Sequence, residues 1–324
     1  MSFTRLLSAA LVAAASALPL AAGAQSWPTK PVRMVAVFPP GGSVDQVARL
    51  LSTQLAQQLG QQFVVDNKGG ASGSIGTAEV ARAAPDGYTF AVVFDTHAVN
   101  PSLLPNLPFN TTKDLASVML IGTAPMAIVA HASQPYKDFR EVIAAAKAKP
   151  GSIAFGSIGT GSLGHLAMAQ IGNQLGVEMT HVPYRGGGPL MNDAVAGQVP
   201  LAIGTVFLVS PHVKSGKVKA LAVTSRKADP SLPGALPLVE QGVPGFEALA
   251  WWGVFAPAGT PQPIIKRMHE ELSKALKVPA VAERLSGQGM EVVGGDPETL
   301  DRFVRIEIDR WAKVVRDNKI KAGD

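Results

Sequence analysis

The sequence predicts an α/β protein of two lobes around a cleft, with a mainly parallel sheet in each lobe and a two-segment hinge. Three observations carry this. Apolar strand patterns alternate with helical patterns along the chain, the signature of βα units and parallel sheets. A strand–glycine turn–helix unit occurs twice, over residues 35–51 and 153–175, and each opens its own run of elements. Each turn feeds a helix start, where unpaired N–H groups and the positive end of the dipole favour an anion. Two such turns, one per lobe, suit a ligand gripped from both sides.

The elements follow in order. Residues 32–38 read as a buried strand and 43–59 as a helix with Gly60 as its C-cap. A short strand over 63–66 precedes a helix over 77–83, opened by Gly73. Pro85-Asp86-Gly87 is a turn before a strand over 88–94. Residues 116–121 and 126–130 are two further strands, and 138–147 is a helix closed by Pro150-Gly151. After the strand 152–155 and the second glycine turn come a helix over 163–175 and a strand over 179–182. A helix over 189–196 and strands over 199–203 and 220–224 follow. Residues 230–244 form a proline-studded loop, 249–255 a strand, 261–276 a helix and 300–317 a closing helix. Crossings between lobes are expected near 122–125 and 246–252. The expected organisation is a signal peptide over 1–24, a first lobe over 25–124 and 250–324, and a second lobe over 125–249.

Arg5, an apolar run over 6–20 and Ala22-Gly23-Ala24 make an export signal with an A-x-A cleavage site, so the mature chain is expected to start at Gln25. No later apolar stretch is long enough to span a bilayer. The chain has no cysteine, which excludes a lipid-modified N-terminal Cys, disulfides, zinc–thiolate sites and thiol catalysis. These features fit the bacterial periplasm. About 300 mature residues suffice for one large or two medium domains. The net charge of +5 comes from scattered basic residues, with one cluster at Lys313, Arg316, Lys319 and Lys321. No aromatic-basic surface is legible, which argues against nucleic acid. The six histidines show no metal-ligand spacing, and no metal or cofactor is expected.

The candidate binding residues lie at the strand ends. The first turn supplies Phe38, Pro40, Gly41, Gly42, Ser43 and Asp45; the second supplies Ser157, Gly159, Thr160, Gly161 and Ser162. Glycine permits close backbone approach and positive φ; Gly41-Gly42 alone is also an ordinary tight turn. Asp45 is read as fixing the first turn, or simply as a first-turn carboxylate favouring the helix dipole. Thr96, His97 and Asn100 follow a strand and are expected to line the cleft, although a lone histidine is more often packed. His165 is read as bracing the second turn. Tyr184 and Arg185 follow another strand and face either the cleft or the surface. Trp251-Trp252 fit hinge packing better than a stacking platform.

Gly159-Thr160-Gly161-Ser162-Leu163-Gly164 satisfies the dinucleotide pattern G-x-G-x-x-G between a strand and a helix. The acidic ribose partner is absent at the next strand end, where Pro183-Tyr184-Arg185 stands. An NADP-binding oxidoreductase is therefore an alternative, opposed by the export signal. No G-x-S-x-G elbow and no paired carboxylates point to other catalysis.

Several segments together carry a family resemblance: Trp27-Pro28-Thr29-Lys30-Pro31-Val32-Arg33, Phe38-Pro39-Pro40-Gly41-Gly42-Ser43-Val44-Asp45, Pro85-Asp86-Gly87-Tyr88-Thr89, Gly156-Ser157-Ile158-Gly159-Thr160-Gly161-Ser162 with His165-Leu166, His181-Val182-Pro183-Tyr184-Arg185-Gly186, Ala220-Leu221-Ala222-Val223-Thr224 and Ala256-Pro257-Ala258-Gly259-Thr260-Pro261. The chain resembles the Bug-type (TctC-like) periplasmic receptors of tripartite tricarboxylate transport systems over nearly its whole mature length. The resemblance implies a type II flytrap fold, monomeric and without enzymatic activity. It implies that a small carboxylate, a di- or tricarboxylate, an amino-acid-like acid or an aromatic acid, meets the two glycine turns and is delivered to a membrane permease. A sensory role, presenting the solute to a sensor kinase, is the alternative within this class. The family usually carries an aspartate soon after the strand matching 199–203. Here Gly204 and Thr205 stand in that place, which leaves no acid there to hold an ammonium or hydroxyl group.

Overall fold

The computed structural model describes residues 27–321; the expected export signal over 1–24 and its cleavage site lie outside the described residues. Strand β1 (Val32–Ala36) leads through the first glycine turn into helix α1 (Ser43–Leu59). Val44, Val47, Ala48, Leu51 and Leu55 are buried at helical spacing, which turns one apolar stripe to the core. Gly60, at φ 65°, ends the helix by donating its N–H to the Ala56 carbonyl at 3.0 Å. Then come β2 (Phe63–Asn67), a single 3-10 turn (Ala71–Gly73), α2 (Ser74–Ala81), β3 (Thr89–Phe94), α3 (Thr96–Leu103) and the long strand β4 (Leu115–His131). Helix α4 (Phe139–Ala148) is capped by Asp138, whose carboxylate accepts the Glu141 N–H at 3.1 Å. The second run is β5 (Ala154–Ser157), α5 (Leu163–Leu175), β6 (Thr180–Pro183), α6 (Gly187–Val195), β7 (Leu201–Thr205), α7 (Val206–Lys214), β8 (Val218–Val223) and β9 (Leu236–Pro237). The chain closes with β10 (Leu249–Pro257), α8 (Gln262–Lys277), α9 (Pro279–Ser286), β11 (Glu291–Gly295) and α10 (Pro297–Asp317).

The strands form two sheets joined through β4. The first runs β2-β1-β3-β10-β4-β11 and the second β6-β5-β7-β4-β8-β9. The α/β two-lobe class is the one the sequence predicts, but the sheets are mixed rather than mainly parallel. The pairs β1–β2, β1–β3, β5–β6, β5–β7 and β8–β9 are parallel, whereas every pairing of β4 and β10 is antiparallel. The reason is that β4 and β10 are the crossing segments. They run past each other between lobes instead of belonging to a βα repeat.

Residues 116–130, expected as two strands, lie within the single strand β4. Its partners change from β10 to β7 and β8 between Pro125 and Met126. Proline lacks a ladder donor, and Pro125 sits at this change of partner. The chain returns at Ala248, which donates to the Thr224 carbonyl at 3.2 Å, and Leu249 then faces Pro125. Trp252 of β10 is fully buried between Phe94 of the first lobe and Phe207 of the second, with ring centroids at 5.1 and 5.8 Å. Hinge packing is thus its place. Burial of each phenylalanine ring contributes about 1.5–3 kcal/mol.

Candidate functional site

The first glycine turn is braced by Asp45. This carboxylate accepts the Gly41 N–H at 3.0 Å, Asn67 Nδ2 at 2.9 Å and Arg49 Nε at 2.9 Å. Burial opposes its ionisation, but these bonds, Arg49 first, hold its pKa below the usual aspartate value. Asn67 Nδ2 also donates to the Phe38 carbonyl at 2.9 Å. Gly41 has φ +83°, which favours glycine. Gly42 has φ −77°, so positive φ, one of the two expected uses of glycine, is not what this position requires. A Cβ there would stand 3.5 Å from the Gly187 nitrogen. Gly42 thus faces a second glycine run across the cleft at an ordinary contact distance.

That run is Gly186-Gly187-Gly188. Gly187 begins α6, and a Cβ on Gly188 would stand 2.6 Å from the Pro40 carbonyl oxygen. Thr205 caps α7 by accepting the Leu208 N–H at 3.1 Å. The first turns of α1, α6 and α7 therefore converge on one small chamber of about 10 Å³ between the lobes. Gly42, Ser43, Gly187 and Thr205 line it together with Phe38, Phe94, Met126 and Ile158. That volume is at the limit for a single water. A larger cavity of about 810 Å³ adjoins it and shares Phe38 and Ile158 as walls. Pro40, Gly159, Thr160, Tyr184 and Arg185 line this outer cavity. Burial, then Asp193, pushes the Tyr184 phenol up to about 12, so it is neutral at physiological pH.

The second glycine turn is arranged differently from the expected amide cradle. Three of its amides are spent internally. Gly159 N–H donates to Ser157 Oγ at 3.2 Å, Gly161 N–H to His165 Nδ1 at 3.1 Å and Ser162 N–H to the Gly159 carbonyl at 3.1 Å. Ser157 and Ser162 are buried behind the turn. Ser157 Oγ contacts His181 Nε2 at 2.7 Å, and the His165 and His181 rings stack with centroids 4.0 Å apart. His165 braces the turn, as the sequence suggests. The same bonding commits the amides of Gly159 and Gly161, two of the three glycines in the G-x-G-x-x-G loop, within the protein.

Thr96, His97 and Asn100 are buried and line neither space. His97 packs among Phe109, Phe255 and Trp251, and burial lowers its pKa to about 3. Asn100 Nδ2 donates to the Ser72 carbonyl at 3.1 Å. Gly204 is buried beneath Val209 and Leu208, and only Thr205 of that pair reaches the chamber.

Three features were missed from the sequence. Ser72, held at φ 52°, donates its Oγ to the Thr160 carbonyl across the cleft at 2.8 Å. Its local sequence carries no signal beyond flanking glycines. Gly187 and Gly188 stand in a glycine run directly after a strand, the same signal as Gly41-Gly42. Asp95, directly after β3, is fully buried. Burial pushes its pKa well above the usual aspartate value, and the Leu163 amide at the start of α5 offsets this only in part. Among the described residues no cluster of metal-ligating side chains occurs, and no helix is long and apolar enough to cross a membrane.

The two-lobe α/β architecture with helix starts facing its cleft is that of the periplasmic binding class. The chain belongs to the tripartite tricarboxylate transporter family receptor (TctC) family, which residues 47–320 match. This is a family of periplasmic solute-binding proteins, not of enzymes. A UPF0065 protein from the tcbD-tcbE intergenic region of Pseudomonas sp. strain P51 is 38% identical over 299 residues, 92% of this chain and 89% of that relative. BugT of Bordetella pertussis is 35% identical over 324 residues, 99% of each chain. Among solved structures, the periplasmic binding protein BugD superposes with TM-score 0.87 at 35% identity, over 91% of this chain and 99% of BugD. R. palustris Rpa4515 with adipate gives 0.88 at 34% identity, over 91% and 99%. MatC (Rpa3494) of Rhodopseudomonas palustris with bound malate gives 0.84 at 34%, over 89% and 100%.

Proposed function

We propose that this protein is a periplasmic receptor that captures a small carboxylate between its lobes and presents it to a tripartite tricarboxylate-type permease. In this reading residues 1–24 are removed on export, 25–124 with 250–324 form one lobe, and 125–249 form the other. The observation that carries it is the convergence of three helix starts, α1, α6 and α7, on one chamber between the lobes. Uncommitted N–H groups at helix starts neutralise a carboxylate without a full counter-charge. The adipate and malate held by structural relatives support the same ligand chemistry. Ser43, Thr205 and the Gly42 and Gly187 backbones are the proposed contacts, with Asp45 as the brace that shapes the first turn.

A thermal-shift series over carboxylic acids and their uncharged amides tests this. An acid at one hundred times its dissociation constant stabilises the fold by about 2.7 kcal/mol, and its amide gives no comparable shift. Equal shifts from acids and amides, or none from any acid, would remove the proposal.

A further inference from the structure

We propose that the solute is an acid with an apolar body, either an aromatic ring or a chain of five or more carbons. It carries no ammonium group, and Arg185 reads a second anionic group at its far end. This rests on reading the cleft as a carboxylate receptor site. The chamber at the helix starts has room for little beyond a carboxylate head once the lobes part slightly, so the rest of the solute must occupy the adjoining cavity of about 810 Å³. The apolar part of its wall is formed by Phe38, Pro40, Ile75, Leu103, Ile158 and the ring of Tyr184, beside the polar Asn67, Ser72 and Thr160. Each methylene that leaves water against such walls raises affinity about fourfold. A short hydroxylated diacid forgoes that gain.

Charge sets the second limit. Among the described residues Arg185 is the sole Lys, Arg, Asp or Glu lining either space. The acid beside the chamber, Asp45, lines neither space and is committed to Gly41, Asn67 and Arg49. An ammonium group carried into this cleft would lose its hydration and meet no carboxylate, a strongly unfavourable burial. Arg185 lines the cavity, is exposed and makes no ion pair among the described residues. Its guanidinium is available to a second acid group carried on the far end of the solute.

Calorimetry with the mature chain tests each part with matched pairs. Suberate is expected to bind at least tenfold more tightly than succinate, glutarate at least tenfold more tightly than glutamate, and terephthalate severalfold more tightly than benzoate. In Arg185→Ala the terephthalate-to-benzoate ratio falls to near one, and Arg185→Lys restores part of it; melting curves confirm that both variants are folded. If glutamate or succinate binds most tightly, or Arg185→Ala leaves the ratio intact, the inference is overturned while the receptor reading stands. If no acid in the panel binds the folded protein, both fail.

Discussion

His97 shows how a side chain legible as a candidate ligand becomes a core residue once its surroundings are known. Its ring stands 4.9 Å from Phe255 and 6.2 Å from Phe109, centroid to centroid, and both nitrogens are buried without a partner. Burial holds its pKa at about 3, against about 6.5 in an unfolded chain. The unfolded state therefore binds a proton that the folded state refuses, and stability falls as pH drops below about 6.5. Between pH 8 and pH 5 this one group removes about 2 kcal/mol. Urea unfolding of His97→Leu across that range is expected to lack this portion of the acid loss; parallel pH dependence in variant and wild type would refute the assignment. Asp45 has the opposite history. Its role as a brace was legible because Gly41, four residues away, is its partner. For His97 the deciding rings are Trp251 and Phe255, far along the chain on β10, and no local pattern reports them.

The same contrast separates elements that were legible from those that were not. The glycine turns before α1 and α5 stand where the sequence places them, because strand end, glycine and helix start are consecutive. Helices α3 and α7 were not read, since each contains a proline, Pro101 and Pro211, which ordinarily signals a break. The two glycine turns also differ in a way that spacing does not reveal. Gly161 has φ +73°, and a Cβ there would fall 1.8 Å from Leu103 Cδ2, on the other lobe. Gly42 has φ −77° and an ordinary 3.5 Å approach to Gly187. Gly161→Ala is therefore expected to cost at least about 1–2 kcal/mol from its left-handed backbone alone. Gly42→Ala is expected to cost no more than about 1 kcal/mol, the loss of a better N-cap residue. Denaturant titration of the pair decides this, and equal losses would show that local backbone shape does not govern the second turn.

Closure of the molecule involves contacts at the cleft that single substitutions can reach. The lobes meet where Ser72 reaches Thr160, where Leu103 covers Gly161, and where Gly187 and Gly188 lie against Pro40, Gly41 and Gly42. None of these pairs is adjacent in sequence, which is why the two-lobe plan was legible and the seam between the lobes was not. A chamber of about 10 Å³ has no room for a carboxylate head as it stands, so in the receptor reading binding involves separation of these surfaces and their return. Gly188 gives the cleanest handle on that step. Among the nearest atoms to a Cβ placed there are the Pro40 oxygen at 2.6 Å and Gly41 backbone atoms at 3.6 and 3.7 Å, all on the opposite lobe. Alanine at the start of α6 favours the helix itself, so Gly188→Ala should leave melting temperature unchanged or raised while obstructing closure. Ser72→Ala removes a single hydrogen bond across the seam, a bias of about 0.5–1.5 kcal/mol toward the open form, or up to about tenfold in the ratio of states. Small-angle scattering with a saturating acid is then expected to show compaction in the wild type, reduced compaction in Gly188→Ala and an intermediate profile in Ser72→Ala, with solute affinity falling in the same order. Full compaction and wild-type affinity in Gly188→Ala would mean that the glycine seam is incidental to closure.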